Sequence, residues 1–242
     1  LDLDGVKLLL KQGLEFARGH RLPKAPELSC PTLTLGDPSY GAWTFCPQGL
    51  TPGGIVYSFG VGEDISWDLA IIEKYGVAVH AFDPTPRSAE FVKRQSLPGE
   101  FVFHPYGLAD YDGTALFYPP ENSEWVSHTL LRRRATAGKA IEVQVRRLET
   151  IMLLLGHDKI NLLKMDIEGA EYGVIPDILN SSLVAGGAEQ LLVEFHHRFP
   201  GKGVKDTIFC IEALEKAGLR SFHISQNGED WGFAREDGKV AP

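Results

Sequence analysis

The sequence predicts an α/β protein with a mostly parallel sheet, helices on both faces and an antiparallel hairpin at its C-terminal end. Three features carry that expectation. Short apolar runs alternate with helix-length amphipathic stretches from Gly54 onward, the pattern of successive strand–helix units. The first run ends in Gly60-Val61-Gly62 and an acidic, amphipathic segment follows, so a strand, a tight turn and a helix start lie in one stretch. The chain closes on two strand-like segments around Asn227-Gly228, a dipeptide suited to the corner of a hairpin.

In chain order, residues 3–18 set Leu3, Val6, Leu9, Leu10, Leu14 and Ala17 at near-helical spacing, which predicts an amphipathic helix. Residues 22–52 are rich in proline and glycine, with Tyr40, Trp43 and Phe45 among them. They read as a loop-rich cap whose aromatics pack on the main domain. A strand over 55–59 and a helix over 66–75, ended by Gly76, open the alternating region. A strand over 77–82, a helix over 86–95 and a strand over 101–104 continue it. Residues 107–118 break the alternation, and Asp112-Gly113 there predicts a hairpin. A strand over 141–145 leads into a helix over 148–155. Regular order returns with a strand over 160–165, a helix from Gly169, a strand over 190–195 and a helix over 205–217. Segments 221–225 and 231–235 form the closing hairpin. The expected division is a cap over 1–52 and a main domain over 53–242.

A chain of 242 residues suffices for one globular domain with a sizeable core. A formal charge of −8 argues against electrostatic nucleic-acid binding. The one basic cluster is Arg132-Arg133-Arg134 with Lys139, Arg146 and Arg147 nearby. It reads first as a solvated face and second as a patch for an anionic substrate. No apolar run reaches the length of a membrane span. The chain starts at Leu1 without a methionine, so it reads as trimmed, and a removed signal or anchor stays open. Cys30, Cys46 and Cys210 show no C-x-x-C zinc spacing. Buried free thiols are the preferred reading, with a Cys30–Cys46 pair in an oxidising compartment as the alternative. The compartment stays open between the cytosol, which is preferred, and the secretory or Golgi lumen.

Gly60 and Gly62 let the backbone turn sharply and approach a ligand without Cβ clashes, and the next helix offers free N–H groups. Asp83 ends the second predicted strand about twenty residues on, where a carboxylate accepts both hydroxyls of a ribose. The structural alternative is a tightly packed turn with Asp83 as a helix cap. The dinucleotide fingerprint G-x-G-x-x-G is incomplete, since Ile65 holds its third glycine position. Glu63 and Asp64 make the turn acidic, which disfavours a pyrophosphate and favours the ammonium and sulfonium of S-adenosylmethionine.

The stretch "NLLKMDIEGAEYGVI" sets Asp166, Glu168 and Glu171 where a strand gives way to a helix, the ligand-bearing end in open α/β sheets. Glu171 reads as a complement to the helix dipole. Asp166, at the strand tip, reads as functional, with a capping role as the alternative. In "LLVEFHHR", Glu194 and His196 fall on one side and Phe195 and His197 on the other. His196 is the candidate general base, with Glu194 orienting it; His197 and Arg198 are candidate substrate contacts. A divalent metal on Asp166, Glu168 and His196 suits the ligand types, but strand-tip carboxylates are common without one, and none is expected.

Together "LLKMDIEGAEYGVI", "FDPTPRS", "GLADYDGTALF" and "LLVEFHHR" resemble the FkbM-type methyltransferases, in a branch near the methyltransferase-like proteins of animals. The resemblance covers residues 55–235. It implies a class I Rossmann-like methyltransferase fold, a seven-stranded sheet with an antiparallel last strand, and S-adenosylmethionine as cofactor. It places Gly60 and Gly62 at the cofactor's amino-acid end, Asp83 at its ribose with Pro84 also among the cofactor contacts, and Tyr106, Gly107 and Leu108 beside its adenine. Asp166 would lie near the transferred methyl. Ser58 replaces the acid that many relatives carry at the first strand's end, leaving Glu63, Asp64 or Asp166 for the ammonium. The implied reaction is O-methylation of a small-molecule or saccharide hydroxyl. Trp125, His128 and the arginine cluster lie on the insertion between the third and fourth strands and read as an acceptor lid. The rivals are an NAD-dependent oxidoreductase and a non-catalytic binding module. The oligomeric state stays open.

Overall fold

The computed structural model describes residues 25–120, 129–130, 136–181, 188–199 and 201–235. The helix expected over 3–18, Trp125, His128 and Arg132-Arg133-Arg134 lie outside them. Two short antiparallel strands, β1 (Leu33–Leu35) and β2 (Trp43–Phe45), come first. Strand–helix units follow: β3 (Ile55–Phe59), α1 (Ser66–Tyr75), β4 (Ala78–Phe82), α2 (Pro86–Lys93) and β5 (Phe101–His104). A small sheet of β6 (Gly107–Leu108), β7 (Gly113–Phe117) and β8 (Ile141–Arg146) leads into α3 (Leu148–Leu155). The described chain ends with β9 (Ile160–Met165), α4 (Glu171–Asn180), β10 (Ala188–Glu194), α5 (Val204–Lys216), β11 (Leu219–Ile224) and β12 (Asp230–Arg235).

The central sheet runs β11-β12-β10-β9-β3-β4-β5. Strands from β10 through β5 pair in parallel, and β12 lies antiparallel between β10 and β11. This is the expected mostly parallel, Rossmann-like seven-stranded sheet with an antiparallel last strand. Its strand order reverses between β3 and β9, which opens a crevice at their carboxyl ends.

Alternation along each strand feeds two cores. Tyr57 and Phe59 of β3 pack with Ile151 of α3, Ile175 of α4 and Ile211 of α5. Val56 packs on the opposite face with Trp67 and Ile71 of α1 and with Phe45 and Cys46 of the cap. Both faces are covered, so the central parallel strands are largely apolar. Phe45 meets Trp67 edge-on at 6.3 Å, and each such fully buried side chain stabilises the fold by about 1.5–3 kcal/mol.

Two expectations need correction. β6 and β7 do not pair as a hairpin; β8 lies between them, parallel to β6 and antiparallel to β7. Asp112 is occupied elsewhere: its carboxylate accepts from the Arg147 backbone N–H at 3.0 Å and the Thr150 hydroxyl at 2.8 Å, supporting the start of α3. Cys30 and Cys46 are not free thiols but a disulfide, with Cα atoms 6.2 Å apart. The β1–β2 register pairs Leu33 with Phe45 and so draws the two cysteines together, which a sixteen-residue separation does not reveal. Cys210 is a buried free thiol.

Candidate functional site

The tip of β3 is built on contact with β9. Gly60 adopts φ +85°, and a Cβ there would stand 2.0 Å from the carbonyl oxygen of Asp166. Only glycine allows this approach, and it sets the two strand tips side by side. Asp83, at the end of β4, closes the same turn. One carboxylate oxygen accepts from the Val61 and Gly62 N–H groups at 3.2 and 3.0 Å, the other from the Thr85 N–H and hydroxyl at 2.8 and 2.6 Å. Thr85 in turn caps α2. Asp83 thus already accepts about as many bonds as a carboxylate can, and any hydroxyl it takes must replace one of them.

Beyond these strand ends lies a cavity of about 280 Å³, at the lower edge of small-molecule sites. Of the residues expected there, Gly60, Gly62, Asp64, Asp83, Pro84, Gly107, Leu108, Asp166 and Glu194 line it. Four do not. Ser58 is fully buried under the turn. Glu63 points to the surface and pairs with Arg87 at 2.6 Å. Tyr106 packs under the Arg146 guanidinium, 5.1 Å from its ring centre. His196 stands behind the carboxylates.

The cavity also uses groups that sequence reasoning passed over. Lys164, the one charged residue inside apolar β9, is buried. Its Nζ donates to the Gly60 carbonyl at 3.2 Å and lies 4.9 Å from the centre of the Trp43 ring. A lysine within "INLLKMD" was the available signal. Asp68, one helical turn after Asp64, is buried, and burial pushes its carboxyl pKa up although the Lys164 charge works against this. Tyr40 and Trp43 bring the disulfide-bonded cap into the cavity wall.

The carboxylate turn wraps around Glu171. Glu168 takes φ +54°, the left-handed region, and its carbonyl accepts from the Thr129 hydroxyl. That bend aims the Ile167 and Gly169 N–H groups at Oε1 of Glu171, each at 3.2 Å. The same oxygen is 2.9 Å from Nδ1 of His196. Glu171 is therefore the residue that orients His196, in place of the Glu194 expected. The other imidazole nitrogen, Nε2, is 3.7 Å from both Asp166 Oδ1 and Glu168 Oε2.

Burial opposes charge on His196, but the carboxylates of Glu171, Asp166 and Glu194 outweigh it and raise its pKa well above the ordinary value. The charge of Asp166, together with burial, pushes Glu194 well above the usual carboxylate range. Burial likewise raises Asp166. The arrangement can store, accept and pass protons beside the cavity. His197 is buried, and Arg198 pairs with Glu229 at 3.0 Å. No helix among the described residues is long and apolar enough to cross a membrane.

A model of the methyltransferase FkbM domain matches residues 48–221. The human and rat proteins called probable methyltransferase-like protein 24 are each 26% identical over 176 residues, which is 69% of this chain and 42% of theirs. The chain thus spans about two fifths of the length of those relatives. A solved FkbM methyltransferase from Methylobacillus flagellatus KT superposes with a TM-score of 0.48 at 13% identity, covering 75% of this chain and 43% of that one.

Proposed function

The chain belongs to the FkbM methyltransferase family, and on that premise we propose that it moves a methyl group from S-adenosylmethionine to a hydroxyl of a small molecule or sugar. The observation that carries this reading is the charge of the cavity. Among the described residues, Asp64, Asp68, Asp83, Asp166, Glu168 and Glu194 line it, against Lys164 alone of the lysines and arginines. Such walls suit an ammonium and a sulfonium and repel a pyrophosphate. Asp64 would hold the ammonium, Asp83 the ribose, and the apolar slot of Pro84, Gly107 and Leu108 the adenine. When bound, the cofactor supplies a methyl group already activated by its positive sulfur.

The chain's own residues then align and take up a proton. The carboxylates of Asp166, Glu168 and Glu194 face the cavity, so the acceptor's proton passes to this rim. His196, expected as the base, lies behind the rim, and its raised pKa favours the charged form. Its proposed part is to hold the crowded carboxylates in place as an imidazolium fixed by Glu171.

Thermal shift with S-adenosylmethionine, S-adenosylhomocysteine and NADH tests the cofactor directly. A ligand of the native state raises stability by mass action, so the two adenosyl compounds should raise the melting temperature and NADH should not. No shift with either adenosyl compound would remove the proposal. Asp83→Ala should weaken cofactor binding in calorimetry; unchanged affinity would undo the ribose role.

A further inference from the structure

Asp166, Glu194 and His196 each offer one potential ligand atom, and the three atoms lie within 4.8 Å of one another. They come from the tips of β9 and β10, adjacent parallel strands. Donors on opposite sides of one small cation stand about 4 Å apart, so closing the triad takes shifts of under about 1 Å.

Two observations set this group apart from an ordinary set of acids. Oδ1 of Asp166 is fully enclosed and has no hydrogen-bond partner. His196 is nine-tenths buried, and its Nε2 faces that oxygen at 3.7 Å, beyond hydrogen-bond reach. Its Nδ1 is engaged by Glu171. A carboxylate that fixes Nδ1–H leaves Nε2 as the electron-pair donor once an arriving cation displaces the proton that Nε2 carries in the empty site, the outer arrangement behind metal-bound imidazoles. The surrounding charge is unbalanced in the same sense. Asp166 faces Glu194, Glu171 and Asp230, with His196 and Lys164 opposing them.

We propose that Asp166, Glu194 and His196 hold one divalent cation at the inner wall of the cavity. One imidazole with two carboxylates suits Zn²⁺ or Mn²⁺ better than Mg²⁺ or Ca²⁺. Three protein ligands leave positions open for substrate, which selects an acceptor with two neighbouring oxygens, such as a vicinal diol. This assignment of acceptor class rests on the methyl-transfer reading; cation binding does not. A hydroxyl held against the cation is more acidic and gives its proton to Glu168 at the cavity wall. Its oxygen forms the new O–CH3 bond, the S–CH3 bond breaks, and that electron pair stays on sulfur.

The test uses the whole protein, stripped with EDTA and titrated with Mn²⁺ and with Zn²⁺ in a calorimeter. About one ion per chain should bind. Glu171→Gln should lose about 10–100-fold in affinity, and the isosteric Glu194→Gln at least as much. A second readout needs no variant: Mn²⁺ should broaden the His196 ring signals in NMR far more strongly than those of His80. No binding, unchanged affinity in Glu194→Gln, or an unperturbed His196 ring would overturn the site. S-adenosylhomocysteine is titrated into the same stripped protein. Cofactor binding without cation binding sinks the cation site and spares the transferase reading. Cation binding without cofactor binding supports the site and sinks that reading.

Discussion

His196 and His80 are both withdrawn from water, and burial pushes both imidazoles toward the neutral form, yet they end on opposite sides of the ordinary value. At His196 three carboxylates reverse the effect of burial. At His80 nothing does. It stacks on His104 with ring centres 5.2 Å apart, and its Nδ1 meets the His104 Nε2 at 3.0 Å. His157 adds a third imidazole, held by the Tyr57 hydroxyl at 2.8 Å. Burial, with the charges of His157 and His104, takes His80 down to about 4. Burial lowers His104 and His157 as well. Identical chemistry thus gives a charged centre at the strand tips and a neutral cluster on the β4–β5 flank, and the neighbours decide which.

The largest break in this comparison comes from Glu171. Glu171→Leu removes the acceptor of two backbone N–H groups and strands a buried imidazolium, which should cost about 3–5 kcal/mol in urea denaturation. The milder Glu171→Gln should bring the NMR titration of His196 down toward the ordinary range while His80 is unmoved. A His196 titration that stayed high would mean Asp166 and Glu194 suffice.

Gly60→Ala comes next. Its Cβ would overlap the Asp166 carbonyl at 2.0 Å in a left-handed backbone, for an expected loss of about 2–4 kcal/mol. The displacement should disturb the His196 centre and spare the histidine cluster; wild-type stability would contradict the close approach.

A smaller effect follows from pH. The folded pKa values of His80, His104 and His157 lie below the unfolded value of about 6.5. Between the two the unfolded chain binds more protons, so stability rises with pH. Their contribution is complete above about pH 6.5 and declines as pH falls below it, for His80 through its folded value of about 4. Melting curves should show that decline, and His80→Phe, which keeps a ring and removes the titrating group, should flatten it. Equal slopes in both proteins would assign the acid limb to other groups. Least of all should Glu63→Gln matter: its pair with Arg87 is solvent-exposed, and the melting temperature should not measurably change.

Much of the molecule was legible in the chain itself. Strand–helix alternation, Gly60, Gly62 and Asp83 around one turn, and Asp166 and Glu194 at strand tips all follow from local periodicity and turn chemistry. These signals act over a few residues, and they gave the sheet, the turn and the strand ends that face the crevice. The resemblance to FkbM methyltransferases rested on the same short stretches. What needed the folded chain is contact between residues far apart in sequence. Glu171 looked like a dipole complement and orients His196 across 25 positions. Asp112 looked like a hairpin turn and supports α3 from 35 positions away. Cys30 finds Cys46 only through the cap register, and His196 lies behind the carboxylates it was expected to lead. Local backbone preferences are set by neighbours along the chain, whereas the charge of a buried group is set by whatever folding brings beside it.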